Sequence, residues 1–259
     1  TFEVISWIKN TSALYPLVGF NNKITMDKQI IKDIFEWDVL NWSKAIDFWL
    51  EEVDVNTNHL NCLELGGRGG GLSLWLAINN NTVICSDLES PKDLATKLHA
   101  KYNCTDKIEY QSINATNIPF ENQFDIVVFK SILGGISGNG NDELKKATVD
   151  EIYKCLKPNG KLLFAENLEA SILHKGFRKA FVKWGNRWNY LKYKEIKNVF
   201  SSFENVKYKT VGFWGTFGRT EKQRHFLSKL DNFFERFIPI KKRYIVFGIA
   251  EKHTKPNKT

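Results

Sequence analysis

Residues 60–79 read LNCLELGGRGGGLSLWLAIN: an apolar run, five glycines in six positions, then a helix-forming stretch. The run 60–65 has the length and apolar content of a buried strand, and LSLWLA begins a helix without a spacer. Glycines at 66, 67, 69, 70 and 71 let the backbone turn sharply and let a ligand approach its N–H groups. In open α/β sheets such a turn marks the carboxyl edge where ligands bind. Alone it suits a dinucleotide, a mononucleotide or another adenosyl compound equally well.

Outward from this turn the chain alternates strand and helix. Apolar runs recur at 82–86, 108–112, 125–129 and 160–165, with helix-compatible stretches near 70–79, 91–102 and 142–156. This texture predicts a doubly wound α/β fold: a mostly parallel, seven-stranded sheet with helices on both faces. Ser90 before Pro91 reads as a helix cap, and LKPNG at 156–160 as a helix stop and turn. Upstream, residues 24–53 carry apolar positions at helical spacing, with Asn41 as a candidate cap between two helices. Downstream follow a helical 191–200, a strand at 204–213, an amphipathic helix near 220–237 and a strand at 243–250. The expected organisation is an N-terminal helical region (1–56), an α/β core (57–170) and a helical insertion (171–203). A strand–helix–strand unit (204–251) then completes the sheet, before a polar, frayed tail (252–259).

Three features narrow the ligand. Glu64 precedes the glycines, where an amino-bearing ligand wants a carboxylate. Asp87 closes the second strand, placed to hold a ribose diol. The later segments INATNIPFENQFDIVVFK (113–130) and YKCLKPNGKLLFAEN (153–167) extend the pattern. Taken together, residues 60–167 resemble the class I S-adenosylmethionine (SAM)-dependent methyltransferases, and 204–250 follow them more loosely. A Rossmann dehydrogenase lacks the NIPF–FD–LKPNG progression, and the GK[ST] of a Walker loop is absent.

The resemblance implies SAM as cofactor. Glu64, Gly66, Gly67, Arg68 and Gly70 would shape the methionine pocket, and Asp87 with Leu88 would hold the ribose. Asn114 and Ala115 would flank the adenine, and Lys130 and Ser131 would lie where the fourth strand opens on the site. Arg68 stands where glycine is usual and Asn114 where aspartate is usual; an asparagine amide still offers adenine a donor and an acceptor. The strings EWDVLNWSKAIDFW, LELGGRGGGLSLWLA, FKSILGGI and GFWGTFGRTEKQR are similar to methyltransferases of bacterial surface-polysaccharide biosynthesis.

Methyl transfer to a hydroxyl needs a base. The candidates are Glu166 after strand five, Lys130 at the end of strand four, His174 in the next connection and His225 in the 213–225 segment. The [DNS]PP[YF] segment of nucleobase amino-methyltransferases has no counterpart in FKSILGG, which disfavours nucleic acid. Residues 174–259 hold 21 Lys and Arg against 6 Asp and Glu. With Trp184, Trp188, Tyr190, Phe213, Trp214 and Phe217 beside Arg187, Arg219 and Arg224, this predicts a C-terminal helical, aromatic acceptor region for an anionic partner. The leading acceptor is a sugar or glycan, phosphorylated or lipid-linked. Another small molecule, a lipid or RNA, and a non-catalytic SAM-binding role, stay open. Peripheral contact with anionic lipid through Lys241-Lys242-Arg243 is a further expectation, although the 220–237 helix is expected to pack its apolar face on the sheet.

No apolar run approaches the ~20 residues of a membrane-spanning helix, and TFEVISWIKN lacks the plan of a secretory leader. Cys62, Cys85, Cys104 and Cys155 form no CxxC pair, and no His pair sits at metal-ligand spacing. They are expected as reduced core residues of a cytoplasmic protein with no metal site.

Overall fold

The computed structural model describes residues 26–56, 59–182 and 187–253. Expectations for residues 1–25, for Trp184 and for the end of the tail lie outside the described residues.

Three short helices come first: α1 (Lys28–Phe35), α2 (Val39–Trp42) and α3 (Lys44–Leu50). The core then alternates as β1 (Asn61–Leu65), α4 (Gly71–Ile78), β2 (Thr82–Asp87), α5 (Lys92–Lys101), β3 (Ile108–Ser112) and β4 (Phe124–Lys130). It continues through α6 (Leu133–Ile136), α7 (Glu143–Cys155) and β5 (Leu156–Asn167). The remaining elements are α8 (Ile172–Phe181), α9 (Ile196–Val199), β6 (Asn205–Val211), α10 (Glu221–Phe234) and β7 (Ile245–Glu251).

The seven strands form one sheet in the order β3-β2-β1-β4-β5-β7-β6. It is mixed: β1 to β5 pair in parallel, while β7 runs antiparallel to both β5 and β6. The direction of winding reverses between β1 and β4, so the loops leaving these two strands face each other across the crevice where α/β folds bind ligands.

Burial on both faces explains the apolar strands. One core layer gathers α1 to α4 with Cys62, Val83, Cys85 and Val128; the other gathers α7 and α9 with Leu63, Val127, Phe129 and Leu162. Trp42, Trp49 and Trp75 are fully buried in the first layer, and truncating a tryptophan of this kind costs about 3–5 kcal/mol. Trp49 Nε1 donates to Gly248 O at 3.0 Å, pinning α3 to β7. The four cysteines are unpaired and buried.

Three local expectations need correction. Pro91, not Ser90, occupies the cap of α5, and no side chain bonds the helix start there. Asn41 is no cap: it is buried inside α2, where partners distant in sequence take its amide. The phenylalanines of α10 do not pack on the sheet. The helix buries Ser228 and Asp231 and exposes Phe226 and Phe233, and Phe237 is exposed in the turn that follows it.

Candidate active site

The glycine turn is held from beneath by a buried carboxylate. Glu64 Oε1 accepts from Leu72 N at 3.2 Å, and Oε2 accepts from Ser73 N at 2.8 Å and Ser73 Oγ at 2.5 Å. An acidic side chain at a helix N-terminus answers the unpaired amides and the positive end of the dipole. Burial still raises the Glu64 pKa, with the Ser73 and Leu72 bonds opposing. Gly66 (φ +66°) and Gly70 (φ +73°) take left-handed conformations, which glycine adopts without a Cβ clash. A Cβ on Gly66 would strike Ile132, so the loops after β1 and β4 touch. His99, not foreseen from the sequence, locks the far side: Nε2 lies 2.9 Å from Gly70 O and Nδ1 2.8 Å from Tyr110 Oη. Because a carbonyl only accepts, Nε2 is the protonated nitrogen.

Asp87 ends β2 half-buried. Its Oδ2 accepts from Arg68 N at 3.1 Å and its Oδ1 from Leu88 N at 2.7 Å. Each oxygen keeps a lone pair for a diol, and Leu88, 70% exposed, offers an apolar edge beside it. Asn114 is exposed; its Oδ1 accepts from Thr116 N and Oγ1, leaving Nδ2 unpartnered among the described residues. Ala115 is half-buried next to it. Ser131 takes φ 59° after β4, and its hydroxyl accepts from Asn167 Nδ2 at 2.5 Å. Gly67 is buried, and Arg68 projects into an open cleft with Lys32, Glu36 and Leu94. This donor set fits an adenosyl cofactor: a carboxylate for the ribose, an apolar edge, an amide near the base, and a turn with no Cβ in the way.

The four candidate bases occupy very different surroundings. Glu166 is enclosed, with Oε2 accepting from Leu133 N at 2.7 Å and Oε1 from Asn167 N at 2.8 Å. Burial pushes its carboxyl up to about 7 against those bonds. Both oxygens are spent on backbone amides, Oε2 at the start of α6 and Oε1 at the end of β5, so Glu166 ties the β4–α6 connection to β5. His174 is buried among Phe213, Phe217 and Tyr244. Its Nε2 bonds Phe213 O at 2.9 Å and its Nδ1 meets Ser171 Oγ at 2.7 Å. Burial, aided by Arg178, pushes it down to about 4, so it is neutral at pH 7. His225 lies on the exposed side of α10.

Lys130 alone of the four combines a place at the crevice with a softened charge. Its Nζ donates to Phe35 O at 2.8 Å and is ringed by Phe35, Trp37 and Trp42, with centroids 5.7, 5.8 and 5.6 Å away. Burial pushes the ammonium down to about 8, with Glu36 and Glu64 opposing. Those rings reach Lys130 because Glu36 (φ 63°) and Asp38 (φ 47°) kink the chain between α1 and α2. Left-handed non-glycine residues cost of order 1 kcal/mol each, and buried bonds offset this. Glu221 accepts from Asp38 N at 2.9 Å and Val39 N at 3.0 Å. Tyr244 Oη donates to Asp38, as does Ser228 Oγ at 2.9 Å. Asn41 Nδ2 donates to Ser228 Oγ, Asp231 Oδ2 and Tyr244 Oη at 2.9–3.0 Å. Asp231 accepts from the amides of Phe213, Trp214 and Gly215 at 2.8, 2.7 and 2.9 Å. Arg224 then stands over Trp37, 5.8 Å from its centroid. The strings EWDVLNW and GFWGTFGRTEKQR thus meet beside Lys130. FKSILGGI closes the other side, where Trp188 lies on Gly134 and Gly135. Asp125, at the opposite end of β4, pairs with Lys157 at 2.8 Å.

Residues 63–164 match the family described as a methyltransferase domain. No curated protein sequence matches the chain. Among solved structures it resembles Haemonchus contortus phosphoethanolamine N-methyltransferase 2 in complex with phosphomonomethylethanolamine and S-adenosylhomocysteine. The TM-score is 0.58 at 16% identity, over 86% of this chain and 58% of that one. The same enzyme is known with S-adenosyl-L-methionine. The YcgJ protein of Bacillus subtilis gives a TM-score of 0.55 at 13% identity, over 82% of this chain and 100% of that one. The [4+2]-cyclase SpnF gives 0.57 at 15%, over 84% and 81%. Identities this low speak for the fold, and the reaction rests on the domain match together with the site.

Proposed function

We propose that the chain is an S-adenosyl-L-methionine-dependent methyltransferase that methylates a hydroxyl of a sugar or glycan. The observation that carries this reading is Lys130 at the end of β4, ringed by Phe35, Trp37 and Trp42, where burial pushes its ammonium down to about 8. An amine acceptor attacks with its own lone pair, whereas a hydroxyl becomes a competent nucleophile as a base removes its proton. A lysine poised near neutrality supplies that base. Trp37 and Arg224 at the same wall suit a pyranose face and an anionic substituent. The similarity of EWDVLNWSKAIDFW and GFWGTFGRTEKQR to polysaccharide methyltransferases points the same way.

When bound, the cofactor supplies a methyl group activated by its sulfonium. On this reading Asp87 holds the ribose hydroxyls, with Leu88, Asn114 and Ala115 around the base. Gly66, Gly67 and Gly70 form the methionine pocket over the buried Glu64, which holds the turn from beneath, with Arg68 at its rim. Lys130 takes the acceptor proton at Nζ, and Ser131, held by Asn167, lines the passage. Glu166 and His174 act as positioning residues, because their polar atoms are already committed to backbone and neighbouring groups. A lipid acceptor is the second reading, favoured by the exposed phenylalanines of α10.

The test is incubation of the purified chain with labelled S-adenosyl-L-methionine and a panel of nucleotide sugars, lipid-linked oligosaccharides, phospholipids and RNA. Methyl label in an ether linkage on a glycan is expected. Label confined to amines, lipid head groups or RNA would refute the acceptor while leaving the methyltransferase intact.

A further inference from the structure

Two neighbouring helices turn their polarity inside out. α10 sends Ser228 and Asp231 inward to the buried network, and α10 with the turn after it presents Phe226, Phe233 and Phe237 outward, 62%, 70% and 65% exposed. Phe226 and Phe233, seven apart in α10, share one stripe, and Phe237 follows in the turn just after the helix, so the three exposed rings lie along one end of this segment. α8 repeats the arrangement, burying His174 and Arg178 and exposing Ile172, Leu173 and Phe181. The helices are joined across their surface: Arg219 lies 5.4 Å over the Phe181 ring, and a shallow cleft runs on from Arg219 through Phe217 and Lys222 to Phe226. A monomer leaves this much aromatic surface in water only where something else covers it.

The charge around these rings says what that is. The acids of the segment face inward or are paired: Glu221 caps α2, Asp231 binds the 213–215 amides, and Glu235 meets Arg243 at 3.2 Å. Lys222, Lys229, Arg236, Lys241 and Lys242 are exposed and make no ion pair among the described residues. A second copy of the chain would bring like charges together, which weighs against a dimer on this face.

We propose that the outward face of α8 and α10 docks on an anionic phospholipid bilayer. The phenylalanines enter the interface, and the lysines and arginine meet the lipid phosphates. No helix among the described residues is long and apolar enough to cross a membrane, so the chain lies on the surface. The inference holds whichever acceptor is methylated.

The full chain is sedimented with vesicles of phosphatidylcholine, with and without phosphatidylglycerol. Retention is expected on the anionic vesicles only, weakening as salt rises. The double variant Phe233→Ser/Phe237→Ser, and separately Lys241→Glu/Lys242→Glu, should each lower partitioning about tenfold or more. Circular dichroism and SAM binding should stay unchanged, because these side chains face solvent. Folded wild-type chain that ignores anionic vesicles overturns the proposal. So does equal retention on both lipids, or retention indifferent to the phenylalanine variants. Concentration-dependent dimers abolished by those variants, with no vesicle binding, would assign the face to a second copy and overturn it equally.

Discussion

Replacing Lys130 separates chemistry from architecture more sharply than any other change to this site. With the ammonium at about 8, roughly a tenth of the lysine is neutral at pH 7, half at pH 8 and nine-tenths at pH 9. If Nζ removes the acceptor proton, kcat/KM should rise about tenfold from pH 7 to 9 and level off above that. Lys130→Met keeps the length of the side chain but removes the base and the bond to Phe35 O. A loss of ~100-fold or more in kcat is expected, with SAM affinity little changed. Lys130→Arg keeps a cation among the three rings and a donor for Phe35 O, yet guanidinium does not deprotonate in this range. It should fold like the wild type and remain as inactive as the methionine variant. The assay is label transfer under acceptor-saturating and acceptor-limiting conditions, with calorimetry for the cofactor. A flat profile from pH 7 to 9, or an arginine variant within threefold of wild type, would refute the role of Lys130 as base.

Asp87→Ala should weaken SAM binding by about 1–3 kcal/mol, as a charge-assisted pair of hydrogen bonds is lost; calorimetry showing unchanged affinity would displace the ribose site. Asp231→Ala leaves three backbone donors and Asn41 without their acceptor, so stability should fall by ~3–5 kcal/mol and Tm by about 10 °C. Chemical denaturation showing less than ~1 kcal/mol would mean that water replaces the carboxylate at no cost. Glu166 sits at about 7 when folded against 4.5 for a free glutamate, so the folded state binds its proton more tightly. Its contribution favours folding below about pH 4.5 and is lost as pH climbs to about 7, by ~3 kcal/mol. Glu166→Gln should flatten that part of the stability profile, and parallel profiles for the two proteins would contradict the assignment.

The α/β core was legible because its signals are local. Strand-length apolar runs, helical periods and the glycine turn at 66–71 each act over a few residues, and β1, β2, β4 and β5 lie where the runs place them. The crevice residues Glu64, Asp87, Lys130 and Ser131 could be placed at strand ends for the same reason. What could not be read depends on partners far along the chain. The 220–237 periodicity announces an amphipathic helix but not which side faces inward. Ser228 and Asp231 turn inward because Asp38, Asn41 and Tyr244 receive them there. The softened charge of Lys130 was equally hidden, since the rings that enclose it come from residues 35–42. His99 carried no local signal, its partners being Gly70 and Tyr110. One clue was available for the C-terminal helix: Thr220 and Gln223 spell a capping box, and the structure forms it.

The bonds between Asp38 or Asn41 and Ser228, Asp231 or Tyr244 span 187 to 206 residues. During synthesis the α1–α2 segment therefore leaves the ribosome long before its partners exist. Strands β1 to β5 all lie within residues 61–167 and can pair before the C-terminal third is made, whereas the kinked segment over Lys130 must wait for α10 and β7. Nascent chains arrested near residue 200 should already hold a protease-resistant core, yet leave the Trp37 region open to cleavage. Chains arrested so that residue 244 has cleared the exit tunnel should protect it. The wall over Lys130 therefore closes only once residue 244 has emerged, and a product truncated before that point would carry the glycine turn without this wall.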